Sequence, residues 1–317
     1  MARRQPGKQT TLRNRVALSG VGVHCGRSVA VTLHPAEADT GITFLRTGIE
    51  GGCDREVPAD YRFVRPTDLC TTVADGEASI ATIEHIMAAL RGAEIDNVVV
   101  EIDGGEVPVM DGSADAFLRA FDQAGVKSLA ASRRSVRIER AVRVEVGNSY
   151  AEFRPFNGAR VEVEIDFANS LIGRQAIVVD VTPDTFRREV SRARTFGFLA
   201  DVEALWARGL CLGASLDNAI VVGDDRVINP EGLRYSDEFV RHKALDAFGD
   251  IALAGAPILG SYRSYRGGHR LNVMAVEALM SETDAWSYVE APAPRRESGY
   301  APLSAGVAAV AFGPEVS

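Results

Sequence analysis

Residues 239–250 read Phe-Val-Arg-His-Lys-Ala-Leu-Asp-Ala-Phe-Gly-Asp, and the rest of the chain is interpreted around this stretch. His242, Asp246 and Asp250 recur at intervals of four residues, so a helix places all three on one face. Ser236 suits the start of that helix. A histidine and an aspartate at this spacing can hold one divalent cation between them. The same row also fits an ordinary solvated helix face, so the metal interpretation requires partners from elsewhere in the chain.

Length and composition indicate an ordinary soluble globular protein. At 317 residues the chain exceeds the size of most single hydrophobic cores, which predicts two domains. Hydrophobic residues make up 46% and charged residues 25%, and both values are typical of globular proteins. The formal net charge of -8 leaves no excess of lysine and arginine, which argues against nucleic acid as the main ligand.

The cellular compartment is inferred from apolar runs and cysteine usage. No segment approaches the roughly 18 to 20 apolar residues of a membrane span, and no apolar core of a signal peptide follows the N-terminal charges. The sequence therefore predicts a cytoplasmic protein without an integral membrane segment. Free thiols in a reducing compartment are expected, because no Cys-x-x-Cys spacing occurs among Cys25, Cys53, Cys70 and Cys211. Any imidazole ligand of a metal must come from five histidines, which are His24, His34, His85, His242 and His269.

The first half of the chain is interpreted as strands, a helix, a strand and a second helix. An apolar period of about 3.6 predicts a helix that begins at Ser79 and carries Glu84 and His85 in its first turns. The second helix is predicted over residues 113–123. The polar, aperiodic residues 127–135 are the best candidate for a linker between domains.

The second half repeats this order of elements. Strands are predicted around residues 136–146, 150–156 and 161–167, then the helix with His242, a strand over 257–262 and a helix over 270–281. Because each half carries a histidine near the start of a helix, the pattern predicts a duplicated α+β unit with its site between the copies. The predicted domains span residues 1–127 and 134–317.

Two histidines and one carboxylate form a common catalytic zinc set, because three protein ligands leave a fourth position for water. His85, His242 and Asp246 fit that count if the two helices meet. The alternative is a non-catalytic protein in which a structural zinc clamps two similar domains. A structural site usually closes all four positions with protein ligands, often thiolates, so a three-ligand set favours the enzyme.

Acid and base groups accompany these ligands in the sequence. Glu84 is adjacent to a candidate ligand and can act as general base on the water at the open position. His269 can protonate a leaving amine, with Asp250 as its orienting partner. His24 lies in a glycine-rich strand turn, where a structural hydrogen bond is favoured over a ligand role.

Longer motifs resemble those of a known family. They occupy residues 82–85 (Thr-Ile-Glu-His), 108–113 (Pro-Val-Met-Asp-Gly-Ser), 191–198 (Ser-Arg-Ala-Arg-Thr-Phe-Gly-Phe), 209–213 (Gly-Leu-Cys-Leu-Gly), 239–250 and 268–272 (Gly-His-Arg-Leu-Asn). In this order, from about residue 9 to residue 289, the chain resembles the UDP-3-O-acyl-N-acetylglucosamine deacetylases, zinc amidases of lipid A synthesis in Gram-negative bacteria.

This resemblance implies both a fold and a reaction. The implied fold is α+β, with two similar domains that are each a layered sandwich of β-sheet and α-helices, and with the active site at the domain interface. The implied reaction is hydrolysis of the N-acetyl group of UDP-3-O-(3-hydroxyacyl)-N-acetylglucosamine. It releases acetate and is an early committed step of lipid A biosynthesis. A deacetylase of a nucleotide sugar without an acyl chain is the alternative substrate class.

The resemblance also implies roles for individual residues. It implies zinc binding by His85, His242 and Asp246, and catalysis by Glu84, His269, Asp250 and Thr195, the last through a hydrogen bond to the oxyanion. It implies substrate contacts by Lys243, Phe196, Phe198, Leu69 and Cys70, and an acyl passage walled by Val202, Cys211, Ser215, Ala219 and Val221. Without the family, the passage residues are interpreted as ordinary core. Asp111 lies in a matching motif, although a role in the turn before a helix is at least as well supported.

The resemblance further implies an insert of the second domain at residues 167–182, which shapes the acyl passage. Ser149 is a departure, because familiar members carry a lysine there that approaches the diphosphate or substrate. The expected partner is a small acylated UDP-sugar, without nucleic acid, and the expected oligomeric state is a monomer.

Overall fold

The computed structural model describes residues 7–49, 52–66 and 69–290. The strands of the first half are β1 (Lys8–Leu12), β2 (Val16–Val21), β3 (Ser28–Pro35), β4 (Ile42–Arg46), β5 (Arg55–Pro58), β6 (Val64–Arg65), β7 (Thr72–Asp75), β8 (Ala78–Ile80), β9 (Val98–Ile102) and β10 (Val126–Ser132). Those of the second half are β11 (Arg134–Ile138), β12 (Val142–Val146), β13 (Ser149–Arg154), β14 (Ala159–Asp166), β15 (Arg174–Asp180), β16 (Phe196–Phe198), β17 (Ile220–Val222), β18 (Ile258–Tyr265) and β19 (Trp286–Glu290).

Helices of very different lengths connect these strands. They are α1 (Glu84–Gly92), α2 (Asp115–Ala124), α3 (Pro183–Thr185), α4 (Val202–Ala207), α5 (Glu238–Ile251) and α6 (His269–Ser281). Shorter turns are 3-10 at Tyr61–Phe63, Leu199–Asp201 and Ala252–Ala254, and π at Phe186–Val190. The mixture of helices with several open sheets confirms the α+β class. Within the described ranges, no helix combines the length and apolarity needed to cross a membrane.

The first half is built on a five-stranded sheet in the order β2-β3-β9-β4-β5. Strand β3 buries alternate residues, namely Val29, Val31 and Leu33, as the period-two pattern predicts. These side chains share one core with Phe117 and Phe121 of α2 and with the buried face of α1. Strands β6, β7 and β8 form a separate three-stranded sheet beside this core.

The second half is built on a seven-stranded sheet in which β18 is central. Strand β18 pairs with β13 in antiparallel fashion and with β11 and β14 in parallel fashion. Helices α5 and α6 contribute to its core through Phe239, Leu271 and Val276. The predicted helices over 113–123, 239–250 and 270–281 are thus confirmed as α2, α5 and α6.

The predicted helix start at Ser79 is wrong. Residues Ala78–Ile80 form β8, which pairs with β7 across a turn at Gly76. Thr82 then adopts a left-handed conformation with φ of 57°, which ends any helical path, and α1 begins at Glu84. The apolar period continues across this break, so periodicity alone could not show it.

The candidate linker at residues 127–135 forms strands, and its role as the boundary between domains stays a prediction. Residues Val126–Ser132 form β10, which pairs with β1 at the other end of the first half, and β11 follows from Arg134. Strand β10 is half-buried or exposed along its whole length, as in a two-stranded ribbon at the surface. Its partner is more than a hundred residues away, so local composition carries no signal for this pairing.

Residues 167–182 do not leave the second-half sheet as an insert would. After a turn, Arg174–Asp180 forms β15, which pairs with β14 along seven residues as the edge of that sheet. The unit that stands apart is β16–α4–β17, whose two strands pair only with each other and run parallel. In the second half, residues 196–222 rather than residues 167–182 therefore form a sheet of their own.

Helices α1 and α5 pack directly against each other, and Gly249 allows the close approach. A Cβ at Gly249 would lie 2.0 Å from the carbonyl oxygen of Glu84, which is closer than packed atoms allow. Leu245 belongs to the first-half core, whereas Ala244 on the same helix belongs to the second-half core. The helix pair therefore joins the two halves and sets the distance between the predicted metal ligands.

We expect Gly249→Ala to lower the free energy of unfolding by about 1–3 kcal/mol, the usual cost of overpacking. At an exposed helix position, glycine to alanine would instead raise the free energy of unfolding by up to about 1 kcal/mol. A decrease therefore indicates that position 249 packs tightly against Glu84. Urea denaturation measures it. Gly197→Ala is the matched control, because a Cβ there meets nothing within 4 Å. An equal or higher stability of Gly249→Ala would contradict the packing.

Candidate active site

The three predicted metal ligands converge where α1 meets α5. The imidazole Nε2 of His242 lies 3.2 Å from Asp246 Oδ1, and that of His85 lies 3.5 Å from the same oxygen. All three side chains are buried, and their ligand atoms lie within 4.8 Å of one another. Among the described residues, no other group of three His, Cys, Asp or Glu side chains has this geometry.

The chemistry of these atoms fits a bound cation. His242 Nδ1 donates to the carbonyl oxygen of Ala193 at 3.0 Å, so Nε2 presents a lone pair toward Asp246. Burial lowers the pKa of His242 to about 3, which keeps the ring neutral. Asp246 Oδ1, which faces the Nε2 atoms of both histidines, is buried without a hydrogen-bond partner. Lone pairs that face one another in a buried space are costly unless a positive ion lies between them.

Lys243 forms an ion pair with Asp246. Its Nζ donates to Asp246 Oδ2 at 2.7 Å and lies 5.6 Å from the centroid of the Phe196 ring. Burial would raise the pKa of Asp246, but the neighbouring His242 and Lys243 hold it well below its usual value. The carboxylate is therefore ionised, as a metal ligand must be. The ammonium of Lys243, expected to contact substrate, is paired with this carboxylate in the structure.

Glu84 occupies the first turn of α1 beside His85. Its Oε2 accepts a hydrogen bond from the backbone N–H of Thr71 at 2.9 Å, and its Oε1 lies 3.8 Å from His269 Nε2. Burial raises the pKa of Glu84, while the neighbouring His269 and His85 lower it. A buried carboxylate with one oxygen committed and the other facing the cluster can accept a proton there.

His269 and Asp250 form a hydrogen-bonded pair on the other side of Glu84. His269 Nδ1 donates to Asp250 Oδ2 at 3.0 Å. The same carboxylate accepts from Thr71 Oγ1 at 2.6 Å and from Asn272 Nδ2 at 2.8 Å, so its position is fixed. Burial lowers the pKa of His269, but the charges of Asp250 and Glu84 outweigh it and raise that pKa to about 10. His269 is therefore a cation at neutral pH.

Other predicted residues surround this cluster at greater distance. The Phe196 ring lies 6.3 Å from that of His242, and Thr195 directly precedes it at the start of β16. Cys70 is buried, and burial together with the charge of Glu84 raises the pKa of its thiol. Its neighbour Leu69 is 40% exposed, so only one member of this pair faces the interior.

The predicted passage residues gather on and around β16–α4–β17. The Phe198 ring contacts that of Phe167 in a tilted arrangement, with ring centroids 5.9 Å apart. Ala219 is buried, Val202, Cys211 and Val221 are half-buried, and Ser215 is exposed. Large apolar side chains are exposed on the same unit, namely Leu199, Trp206, Leu212 and Leu216. Most members are therefore not core, in contrast to their interpretation without the family.

Sequence reasoning missed the residues that hold the catalytic groups in place. Thr71 bonds Glu84 through its backbone and Asp250 through its side chain, and a backbone donor leaves no signal in sequence. The buried Arg194 donates from Nε to Glu238 Oε1, in the first turn of α5, at 2.9 Å. Because this ion pair fixes the segment next to α5, the carbonyl of the adjacent Ala193 can accept from His242. The motif over 191–198 includes Ala193 and Arg194, but the sequence alone did not indicate what these two residues bind.

The His24 turn is held beside the site by Glu106. The two carboxylate oxygens of Glu106 accept from the backbone N–H groups of His24 and Cys25, each at 2.8 Å. One of them also accepts from Thr82 Oγ1 at 3.0 Å, two residues before Glu84. His24 Nδ1 lies 3.8 Å from Cys211 Sγ. These contacts agree with the structural role that was favoured for His24.

The contacts of Asp111 and Ser149 are with residues outside the cluster. Asp111 accepts from Ser113 Oγ at 2.8 Å and from Arg234 Nη1 at 2.8 Å, as expected of a residue at a turn before a helix. Arg234 and Ser113 lower the pKa of Asp111 although burial opposes them. Ser149 begins β13 and pairs with Val146 across the β12–β13 hairpin.

A buried set of two histidines and one aspartate, with a carboxylate and an imidazolium beside it, defines the class of metal-dependent hydrolases. Comparison with known proteins gives the family. The model of the UDP-3-O-acyl N-acetylglycosamine deacetylase family matches residues 9–281, and the chain belongs to this family. Similar proteins named UDP-3-O-acyl-N-acetylglucosamine deacetylase occur in Brucella ovis, Brucella canis and Brucella melitensis biotype 2. Each is 55% identical over 284 residues, which cover 89% of this chain and 99% of the relative.

Proposed function

We propose that this protein hydrolyses the N-acetyl group of UDP-3-O-acyl-N-acetylglucosamine and releases acetate, as a step of lipid A biosynthesis in a Gram-negative bacterium. The observation that carries the proposal is the placement of Glu84 and His269 beside the His85, His242 and Asp246 set, with 3.8 Å between Glu84 Oε1 and His269 Nε2. Family membership supports the substrate.

His85, His242 and Asp246 would hold the metal, and we propose zinc because two imidazoles and one carboxylate are a common catalytic zinc set. When bound, the ion supplies a Lewis acid that polarises the amide carbonyl and increases the acidity of water. Asp246 contributes the negative charge, and the hydrogen bond from His242 Nδ1 to Ala193 keeps Nε2 available as a donor atom.

Glu84 accepts a proton from the attacking water as the oxygen–carbon bond forms at the acetyl carbonyl. The hydrogen bond from the Thr71 N–H orients the carboxylate without consuming its second oxygen. When the carbon–nitrogen bond breaks, the protonated His269 donates a proton to the departing amine. Asp250, held by Thr71 and Asn272, keeps His269 charged before this step. The products are acetate and the free amine of the glucosamine.

Substrate contacts remain part of this proposal. Thr195 would hydrogen-bond the developing oxyanion, while Phe196, Lys243 and Cys70 would lie beside the sugar and nucleotide. The β16–α4–β17 unit would enclose the acyl chain, because its exposed leucines and tryptophan need an apolar partner. A cytoplasmic location is supported by the four cysteines, all of which lie in the described ranges and form no disulfide there. The monomeric state stays a prediction.

The decisive experiment combines metal analysis with deacetylation assays on UDP-N-acetylglucosamine with and without the 3-O-acyl chain. We expect one zinc per chain, loss of activity on chelation, and turnover that depends on the acyl chain. One zinc per chain without turnover of either substrate would instead favour a structural metal. Equal turnover of both would favour a deacetylase of simple nucleotide sugars.

A bulky side chain in the acyl passage should discriminate between long and short substrates. We expect Ser215→Trp to reduce kcat/KM for a long-chain substrate at least tenfold more than for a short-chain analogue, since each buried methylene contributes about 0.8 kcal/mol. Ser281→Trp is the control, because this exposed serine ends α6 at the opposite end from His269. Equal losses on both substrates, with folding intact, would remove Ser215 from the passage.

A further inference from the structure

A cavity of about 640 Å³ lies between the two halves of the molecule. It is formed where the C-terminal ends of α1 and α5 meet the starts of β14 and β18. None of the proposed catalytic or metal-binding residues is among the described residues that line it. Its size is within the range of about 300–1,000 Å³ that is usual for small-molecule sites.

Most of this cavity wall is apolar, but Arg91 contributes a buried cation. The Arg91 side chain is 8% exposed, and its Nε is buried without a hydrogen-bond partner. The nearest carboxylate is Asp96, whose Oδ1 lies 3.8 Å from Arg91 Nη1, beyond hydrogen-bond distance. A buried donor without a partner is rare in native proteins and requires an explanation.

The carboxylate of Asp96 does not fully neutralise the charge of Arg91, because it also accepts hydrogen bonds from other groups. Its Oδ2 accepts from the Thr10 N–H at 2.8 Å and from Arg133 Nε at 2.9 Å. Glu94 also approaches Arg133, at 3.4 Å from Nη1, but it is 42% exposed. Burial and the charge of Arg133 lower the pKa of Arg91, although Asp96 raises it. Arg91 thus retains capacity for a further anionic partner.

The three other arginines on the cavity wall do not share this property, and Arg133 donates to Asp96 Oδ2 at 2.9 Å. Arg160 donates to Asp180 at 2.6 Å and 3.0 Å, and Arg137 donates to Glu139 at 2.9 Å. The wall also carries the carboxylates of Glu94, Asp96 and Glu290, and Arg91 is the arginine among the described lining residues that has no hydrogen-bonded carboxylate. Such a site matches a monoanion better than a phosphate, which normally requires several donors.

We propose that this cavity binds an aliphatic carboxylate, a fatty-acid-type anion whose carboxylate pairs with the Arg91 guanidinium. Its hydrocarbon chain would contact the apolar wall formed by Phe248, Ile251, Ile258 and Val161. The guanidinium fork supplies paired donors for the two carboxylate oxygens, and the apolar wall excludes water from the chain. This site is separate from the proposed acyl passage and does not depend on the proposed reaction.

Isothermal titration calorimetry with decanoate tests the proposal on the full chain. Three ligands separate the contributions: decanoate carries both parts, decanol lacks the charge, and acetate lacks the chain. We expect decanoate to bind at least tenfold more tightly than either. Arg91→Met should weaken decanoate binding by about 10- to 100-fold, the usual value of a hydrogen bond to a charged group. Arg62→Met, on an exposed arginine, is the matched control.

A second cavity variant and a control for binding in the proposed acyl passage complete this test. Ala256→Phe places a bulky ring in the cavity without altering Arg91, and we expect it to weaken decanoate binding as well. Decanoate could also enter the proposed acyl passage, which Ser215→Trp would block. Affinity that falls in Ser215→Trp but not in Arg91→Met or Ala256→Phe would overturn the proposal, as would equal binding of decanoate and decanol.

Discussion

Glu84→Ala is expected to lower the rate of deacetylation by about 100-fold or more, since general-base catalysis contributes on the order of 10² to 10⁴. The metal content should stay near normal, because the proposed metal ligands are His85, His242 and Asp246. Glu84 lies beside these ligands and faces His269 at 3.8 Å, so its removal leaves the ligand atoms in place. Metal analysis and single-substrate kinetics on the same preparation measure both quantities.

Glu84→Gln is the closest control for this prediction. It keeps the size of the side chain and an oxygen that can accept from the Thr71 N–H, but it cannot take up a proton at neutral pH. We therefore expect a loss similar to that of the alanine variant. A variant that loses its metal, and regains activity when metal is added back, would identify Glu84 as a ligand or scaffold residue.

The second large effect concerns the pH dependence of kcat/KM, which we expect to be bell-shaped. Activity should fall in acid as Glu84 becomes protonated, and burial raises the pKa of Glu84 above its ordinary value. Activity should fall in alkali as His269 loses its proton, and Asp250 and Glu84 raise the pKa of His269 to about 10 against the effect of burial. A bound cation repels the imidazolium, so the alkaline limb of the metal-loaded enzyme should lie below that value.

Two variants test whether the ionisation of His269 determines the alkaline limb of the pH profile. Asp250→Asn removes the carboxylate charge that His269 Nδ1 contacts at 3.0 Å, so the pKa of His269 falls and the limb moves to lower pH. His269→Gln should reduce kcat/KM by about 100-fold and flatten or move the limb. If water at the metal controls this limb instead, its midpoint will be unchanged in both variants. That result would leave His269 as a transition-state contact or a structural residue.

A matched control separates the effect of the Asp250 charge from the effect of the hydrogen bonds that position this side chain. Asp250 also accepts from Thr71 and Asn272, so Asp250→Asn could disturb the site through packing. Thr71→Val removes one of these hydrogen bonds while it preserves the charge of Asp250. We expect this variant to lose activity without a comparable shift of the alkaline midpoint. A shift as large as that of Asp250→Asn would show that position, rather than charge, determines the limb.

The sequence by itself determined the elements whose periodicity is long and regular. Helix α5 was predictable because its apolar positions follow a helical period over more than three turns, and His242, Asp246 and Asp250 share one face as a direct consequence. The long motifs were enough to indicate the family, the α+β class and the candidate ligands. All of these properties depend on residues that are neighbours along the chain or on motifs of several consecutive residues.

Only the tertiary structure decided the properties that arise between distant segments. Ala78–Ile80 is a strand because it pairs with β7, and Val126–Ser132 is a strand because it pairs with β1, although local composition favoured a helix and a linker. The proposed metal ligands come together because Gly249 lets α5 approach Glu84. The charge on His269 depends on Asp250. Backbone pairing, close packing and burial join residues that no local pattern connects, so these features are absent from the sequence read alone.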